Sequence, residues 1–150
     1  MIAVTLISAF FSYTGLDIIY LLILLAFFVM TTVIVSRQVL FSGEVTGNKI
    51  IGIICIFLLL GLIWSTLYLL LLEQDMSSFS NLTDYAWYDN FSKMVYFSFM
   101  ALTLSGSADI TPALPVARFL AYLEAVMGLL YVIVMISILS GMRIAGQPKS

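Results

Sequence analysis

Three long runs of apolar residues, separated by short polar stretches, organise the chain. A helix over residues 1–36 would be about 54 Å long, which exceeds a hydrocarbon core of about 30 Å. The pattern therefore predicts a break at Gly15, where Thr14 and Asp17 resemble a capping box. The predicted membrane helices cover residues 16–36, 50–72 and 116–141. Residues 1–13 then form a separate apolar segment, at the membrane interface or packed on the bundle.

A fourth apolar segment, residues 90–104, is too short to cross the membrane, because its helix would be only about 22 Å long. The polar stretch TLSGSADITP, residues 103–112, follows it directly. Irregular backbone at membrane depth persists only where protein buries it or water reaches it. The pattern favours a re-entrant pore helix and loop, and leaves open an outer loop with a surface helix. The predicted fold class is an all-α membrane protein.

Composition agrees with that class and narrows the functions. Hydrophobic residues make up 63% of the chain and charged residues 9%, against about 25% charged in soluble domains. There is no His, no spacing typical of a metal site, and no nucleophile–base constellation, so we expect no enzymatic activity and no bound cofactor. The net charge of −2 gives no sign of nucleic-acid binding. Membrane lipids are the expected surroundings.

Basic residues predict the orientation. Arg37 and Lys49 flank the first loop, and Arg143 and Lys149 lie near the C-terminus. Basic loops favour the cytoplasmic side, so we expect a multi-pass plasma-membrane protein with its N-terminus outside and its C-terminus inside. The acidic segment 73–93 then faces outward. The expected divisions are an N-terminal part (1–48), a pore module (49–141) and a short cytoplasmic tail (142–150).

The run YFSFMALTLSGSADITPALPVARFLAYLEAVMGLLYVIV resembles the pore module of bacterial two-helix potassium-channel-type proteins. The shared features include D-I-T-P at Asp109–Pro112 and A-R-F-L-A-Y-L-E-A at Ala117–Ala125. The resemblance implies a homotetramer around a central pore. It assigns an outer helix (50–72), a pore helix (90–104), a filter (104–109) and an inner helix (116–141).

The filter departs from the family pattern T-V-G-Y-G. The aligned residues here are Leu104, Ser105, Gly106, Ser107 and Ala108. Only Gly106 keeps the family residue. Ala108 replaces the second glycine, and a left-handed backbone there would cost about 1 kcal/mol. Ser107 replaces the tyrosine that braces the family's filter, and Leu104 replaces a threonine hydroxyl. A narrow potassium filter of stacked carbonyl rings is therefore not expected to form.

The polar residues of this stretch instead predict an oxygen-lined constriction for hydrated cations. The candidate filter residues are Thr103, Leu104, Ser105, Gly106, Ser107, Ala108 and Asp109. Ser105 and Ser107 can offer hydroxyl oxygens, although both can also serve only to form the loop. Four copies of Asp109 would make a ring of carboxylates, the usual device of cation pores. A structural acid that forms hydrogen bonds behind the loop is the other open role for Asp109.

The inner helix carries further candidates. Glu124 is an intramembrane acid, for which we favour a structural role against the pore helix over direct ion contact. Gly128 falls at the family's hinge glycine, and close helix packing would explain it equally well. By resemblance, the pore-facing stripe is Leu129, Val132, Ile136 and Ser140.

These features together predict a tetrameric cation channel subunit. It would be weakly selective, or selective for a cation other than potassium, with permeant monovalent or divalent cations as its only inorganic partners. The alternative is a non-conducting structural or regulatory membrane subunit of the same fold.

Overall fold

The computed structural model describes residues 13–41, 47–82, 87–107 and 109–145. Four α-helices dominate it: α1 (Tyr13–Phe41), α2 (Gly47–Gln74), α3 (Trp87–Leu102) and α4 (Pro115–Ala145). A 3₁₀ turn (Met76–Ser78) and two short strands, β1 (Phe79–Ser80) and β2 (Thr111–Pro112), lie in the connections around α3.

Among these elements, three helices are long and apolar enough to cross a membrane. The stretches are Leu16–Val39, Lys49–Gln74 and Pro115–Ile138. The predicted all-α membrane fold with three spanning helices is therefore confirmed. Helix α1 begins at Tyr13 and passes through Gly15, so the chain is already helical two residues before the predicted break. The rest of the proposed interfacial segment, residues 1–12, lies outside the described residues.

Helix α2 is the centre of the bundle, since it packs against each of the other three helices. Two of its glycines allow close approach. A Cβ atom built on Gly52 would lie 2.3 Å from Cγ2 of Val39 in α1, and one on Gly61 would lie 2.6 Å from the ring of Phe99 in α3. A side chain at either position would displace the side chain that it meets on the neighbouring helix.

The core lies where the C-terminal half of α2 meets α3 and the loops. Its centre is a trio of aromatic rings, Tyr68, Phe79 and Phe97, whose centroids lie 5.2–5.4 Å apart in edge-to-face contacts. Such geometry adds to the free energy that burial alone provides. The surrounding buried residues are Leu21, Trp64, Leu69, Leu72, Met94, Leu102, Ile110 and Ala117.

The strands connect the segment after α2 to the segment before α4. They pair antiparallel, with Phe79 opposite Pro112 and Ser80 opposite Thr111, and the Ser78 carbonyl accepts a hydrogen bond from the Ala113 amide at 2.9 Å. Asp75 caps the preceding 3₁₀ turn. The Ser77 hydroxyl and amide both donate to this carboxylate and lower the pKa of Asp75. The connection after α2 is thereby held against the start of α4.

Replacing Phe97 by Ala should lower the free energy of unfolding by about 3–5 kcal/mol, because the substitution leaves a cavity inside the aromatic trio. Denaturant titration of the detergent-solubilised protein, followed by circular dichroism, measures this change. Phe27→Ala is the matched control, since the Phe27 side chain is 61% exposed on α1. Equal losses for the two variants would contradict the described core.

Candidate functional site

Helices α3 and α4 run side by side in the same direction. Ser98 of α3 contacts Glu124 of α4 through a hydrogen bond of 2.5 Å. One turn further along both helices, a Cβ atom built on Gly128 would lie 2.1 Å from the Leu102 carbonyl oxygen. Residue numbers rise by four on both helices between these two contacts, from Ser98 to Leu102 on α3 and from Glu124 to Gly128 on α4. The two helices are therefore parallel.

This register places the end of α3 deep along a membrane-spanning helix. Gly128 lies thirteen residues after Pro115, or about 20 Å along α4. Between Leu102 and Pro115 the chain must cover the same distance in the opposite direction, back to the start of α4. Twelve residues can reach at most about 40 Å, so the connection, described at residues 103–107 and 109–114, returns beside the helices. Helix α3 and this segment form a re-entrant hairpin.

Helix α3 ends in a Schellman motif. The Leu104 amide donates to the Ala101 carbonyl at 3.1 Å, and the Ser105 amide donates to the Met100 carbonyl at 2.9 Å. Leu104 therefore takes the position that glycine usually fills, with φ at +59°. These bonds supply partners for carbonyl groups that the helix end leaves unpaired.

The motif corrects the predicted boundaries of the pore helix. The helix was expected over residues 90–104, whereas α3 covers Trp87–Leu102 and places Thr103 and Leu104 in the turn. In the family pattern the two glycines take left-handed backbone, and only Gly106 keeps a glycine here. Gly106 is left-handed, with φ at +75°, and so is Leu104, while Ala108 lies outside the described residues. The sequence named Leu104 as a filter candidate but did not predict its left-handed backbone, because an apolar side chain gives no signal for a left-handed turn.

Polar oxygens follow the helix end closely. The Thr103 hydroxyl donates to the Phe99 carbonyl at 2.7 Å, and its oxygen lies 3.0 Å from the Ser105 hydroxyl oxygen. The Ser107 hydroxyl lies 3.3 Å from a carboxylate oxygen of Asp109 and accepts a bond from the Ile110 amide at 3.2 Å. Across the described part of the chain, no group of three or more acidic or Cys side chains could hold a metal ion. The oxygen groups described in this stretch are hydroxyls, backbone carbonyls and the carboxylate of Asp109.

Asn81 holds the outer end of this loop. Its side-chain Nδ2 donates to the Asp109 carbonyl at 2.8 Å, and its own backbone is left-handed, with φ at +64°. The Asp109 side chain stays exposed. Sequence reasoning missed Asn81, although asparagine tolerates left-handed backbone better than most residues and is common in turns. The strand pair and Asn81 together brace the loop from the connection after α2.

Glu124 lies fully buried at the meeting point of α2, α3 and α4. The Tyr68 hydroxyl donates to its Oε2 at 2.5 Å, and Ser98 Oγ lies 2.5 Å from its Oε1. Ser98 Oγ also lies 2.8 Å from the Gly61 carbonyl oxygen. The acid thus contacts the re-entrant helix of its own chain. Of the described loop residues, 103–107 and 109, none is among the hydrogen-bond partners found for its carboxyl group.

The remaining inner-helix candidates divide into two groups. The predicted stripe of Leu129, Val132, Ile136 and Ser140 is exposed on the single chain. Gly128 instead faces the Leu102 backbone in the contact described above. The geometry therefore gives Gly128 a close-packing role.

A polar loop between two spanning helices, preceded by a short helix that enters from the same side as the second, defines a pore-loop membrane protein. A family model described as ion channel matches residues 52–143, which is more than half of the chain. The chain therefore belongs to this ion-channel family, and it is an ion channel subunit. Searches of curated proteins and of solved structures gave no match.

Gly128→Ala should destabilise the protein by about 1–3 kcal/mol, because the new methyl group would overlap a backbone carbonyl. Chemical denaturation in detergent measures the loss. Gly61→Ala is the matched control, since its methyl group would meet the far end of the Phe99 side chain, which can rotate away. A smaller loss for Gly128→Ala than for Gly61→Ala would contradict the contact.

Leu104→Gly should stabilise the helix end by about 1 kcal/mol relative to Leu104→Ala, because only glycine takes left-handed backbone without strain. Both variants remove the same exposed side chain, which is 55% accessible in the single chain. Thermal unfolding of the two variants under identical detergent conditions measures the difference. Identical stability would show that residue 104 is not left-handed.

Proposed function

We propose that four copies of this chain assemble around a common axis and conduct cations. The proposal places residues 103–109 at the constriction and residues 49–141 in the pore module. The channel passes potassium with weak selectivity, or favours another monovalent or divalent cation.

The re-entrant hairpin is the observation that carries this proposal. Residues 103–106 and 109 are exposed on the single chain, yet they follow a helix end that lies deep along α4. Polar main chain at membrane depth requires protein or water around it. A shared aqueous axis provides that water, and neighbouring copies provide the protein.

The chemistry of the hairpin favours cations. The C-terminal end of α3 presents carbonyl groups, and the helix dipole adds partial negative charge there. Four such ends around an axis would concentrate that charge at one place. The hydroxyls of Thr103, Ser105 and Ser107 and the exposed Asp109 carboxylate add oxygen ligands, which hard cations prefer.

The helix cap supports weak selectivity for potassium. Leu104 aligns with the first residue of the family's filter, but its hydrogen bonds belong to the end of α3. Ser107 uses its hydroxyl within the loop and has no ring to brace against the pore helices. A set of carbonyl groups that lacks this position and this ring discriminates poorly between ions that differ mainly in size.

The exposed surface of α4 supports assembly. Large apolar side chains on this helix remain uncovered in the single chain, and Tyr122, for example, is 71% exposed. We assign part of this surface to neighbouring copies and part to lipid. The stripe of Leu129, Val132, Ile136 and Ser140 lines the pore below the hairpin, where Val132 and Ile136 can form a hydrophobic gate.

The proposal also sets the surroundings of the protein. The protein lies in the plasma membrane. Its N-terminus is outside the cell and its C-terminus is in the cytoplasm, as the basic residues indicate. Permeant cations, lipids and identical subunits are its partners. We expect neither enzymatic activity nor nucleic-acid binding.

Asp109→Asn should lower cation flux a few-fold, because neutralising a ring of carboxylates reduces the local cation concentration at the pore mouth. Flux into liposomes loaded with a single cation at a time measures this effect for sodium, potassium and calcium. Asp89→Asn is the matched control, since Asp89 is also exposed but lies in the first turn of α3.

Two results would count against the proposal. Background-level flux for every cation in the unaltered protein would reject conduction and would favour the non-conducting structural subunit. Equal effects of the substitutions at Asp109 and Asp89 would leave conduction in place but would remove Asp109 from the ion path.

A further inference from the structure

Ser98 makes two buried hydrogen-bond contacts, one with Glu124 and one with Gly61. If Glu124 is ionised, only one proton is present for these two contacts. Ser98 Oγ lies 2.5 Å from Glu124 Oε1 and 2.8 Å from the Gly61 carbonyl oxygen. A serine hydroxyl has one proton and can donate one hydrogen bond. If it donates to an ionised Glu124, its contact with Gly61 is between two acceptors.

A proton on Glu124 resolves this conflict. The Glu124 hydroxyl then donates to Ser98 Oγ, and Ser98 donates to the Gly61 carbonyl. The Tyr68 hydroxyl donates to Oε2, the other oxygen of the same acid. Three donors then match three acceptors in one chain of hydrogen bonds, and each short distance has a proton assigned to it.

The surroundings of the acid favour the same state. Both side chains bonded to the carboxyl group, Tyr68 and Ser98, are neutral hydroxyls. Glu124 is fully buried and lies nine residues after Pro115, or about 14 Å along a spanning helix. Burial removes the hydration of a carboxylate at this depth, and its two neutral hydroxyl partners do not replace that hydration with an opposite charge. The ionised form is therefore disfavoured.

We propose that Glu124 is a neutral acid that donates a hydrogen bond to Ser98 and so positions the re-entrant helix. The chain runs from Tyr68 in α2 through Glu124 in α4 to Ser98 in α3, and returns to Gly61 in α2. It ties the pore helix to both spanning helices of its own subunit. Glu124 acts through Ser98 and does not touch the permeating ion.

The position of Ser98 links this chain of hydrogen bonds to conduction. Ser98 lies one helical turn before Leu102, where α3 ends and the polar loop begins. A displacement of α3 at Ser98 therefore shifts the hydroxyls and carbonyls that follow Leu102. This consequence for ion flux rests on the proposed function, whereas the protonation of Glu124 and its hydrogen bonds do not.

Infrared spectroscopy tests the protonation directly. We expect protein labelled with ¹³C-glutamate to show a protonated-carboxyl C=O band at neutral pH, shifted by the label and lost in Glu124→Gln. Tyr68→Phe should raise the frequency of this band, because it removes the donor to Oε2. Ser98→Ala should also shift it. A spectrum in which Glu124 contributes only carboxylate bands would overturn the proposal.

Paired substitutions test the positioning role. Glu124→Gln keeps both functions, because the amide NH₂ can donate to Ser98 and the amide oxygen can accept from Tyr68. We expect its melting temperature and cation permeability ratios to match the unaltered protein. Glu124→Ala removes both bonds and should lower the melting temperature.

The paired substitutions also separate the two proposals. Equal destabilisation by Gln and Ala at position 124 would show that the negative charge itself is required, and would overturn the inference. If the unaltered protein conducts no cation, the infrared and melting measurements still decide the state of Glu124. A failure of the channel proposal is thus distinguishable from a failure of this one.

Discussion

Polar main chain inside a membrane must find hydrogen-bond partners, and the arrangement of this protein depends on that constraint. Helix α3 enters beside α4 in parallel, so the chain has to return through membrane depth without a helix. The Schellman motif at Leu104, the bond from Asn81 to Asp109 and the strand pair each supply partners along the return. The polar loop itself stays exposed. In our proposal, this loop contacts the permeating ions.

The close contact between Leu102 and Gly128 decides how deep the hairpin reaches. A residue with a side chain at position 128 would overlap the Leu102 carbonyl, so the two helices could not approach at this point. One turn earlier, Glu124 and Ser98 connect the same two helices by a hydrogen bond. Packing and hydrogen bonding therefore fix the same register independently. Both interactions hold the end of α3 at the level of Gly128.

Helix α2 stabilises the hairpin through contacts with α3 and α4. It contributes Tyr68 to the aromatic trio and to the Glu124 carboxyl group, and the Gly61 carbonyl to Ser98. The resemblance aligns Ser107 with a tyrosine that braces the filter in the related family. The support for the loop comes instead from the connection after α2, through Asn81 and the strands.

The sequence by itself determined the membrane class, the three spanning helices and the presence of a short fourth helix before a polar loop. These features follow from hydrophobic runs, whose lengths are set by the thickness of the bilayer and the rise of a helix. The sequence did not determine the ends of the helices. The pore helix ends two residues earlier than expected, because its C-terminal cap uses a left-handed leucine that no local preference predicts.

Only the tertiary structure decided which residues meet. The sequence left Gly128 open between a hinge and a packing contact, and the structure places its Cα against the Leu102 carbonyl. It also left the partners of Glu124 unnamed, since Tyr68 lies 56 positions away and Ser98 lies 26 positions away. Hydrophobic periodicity carries no information about such contacts, because α4 is apolar on all sides. They arise from the way that separate helices pack, which the pattern of a single helix does not encode.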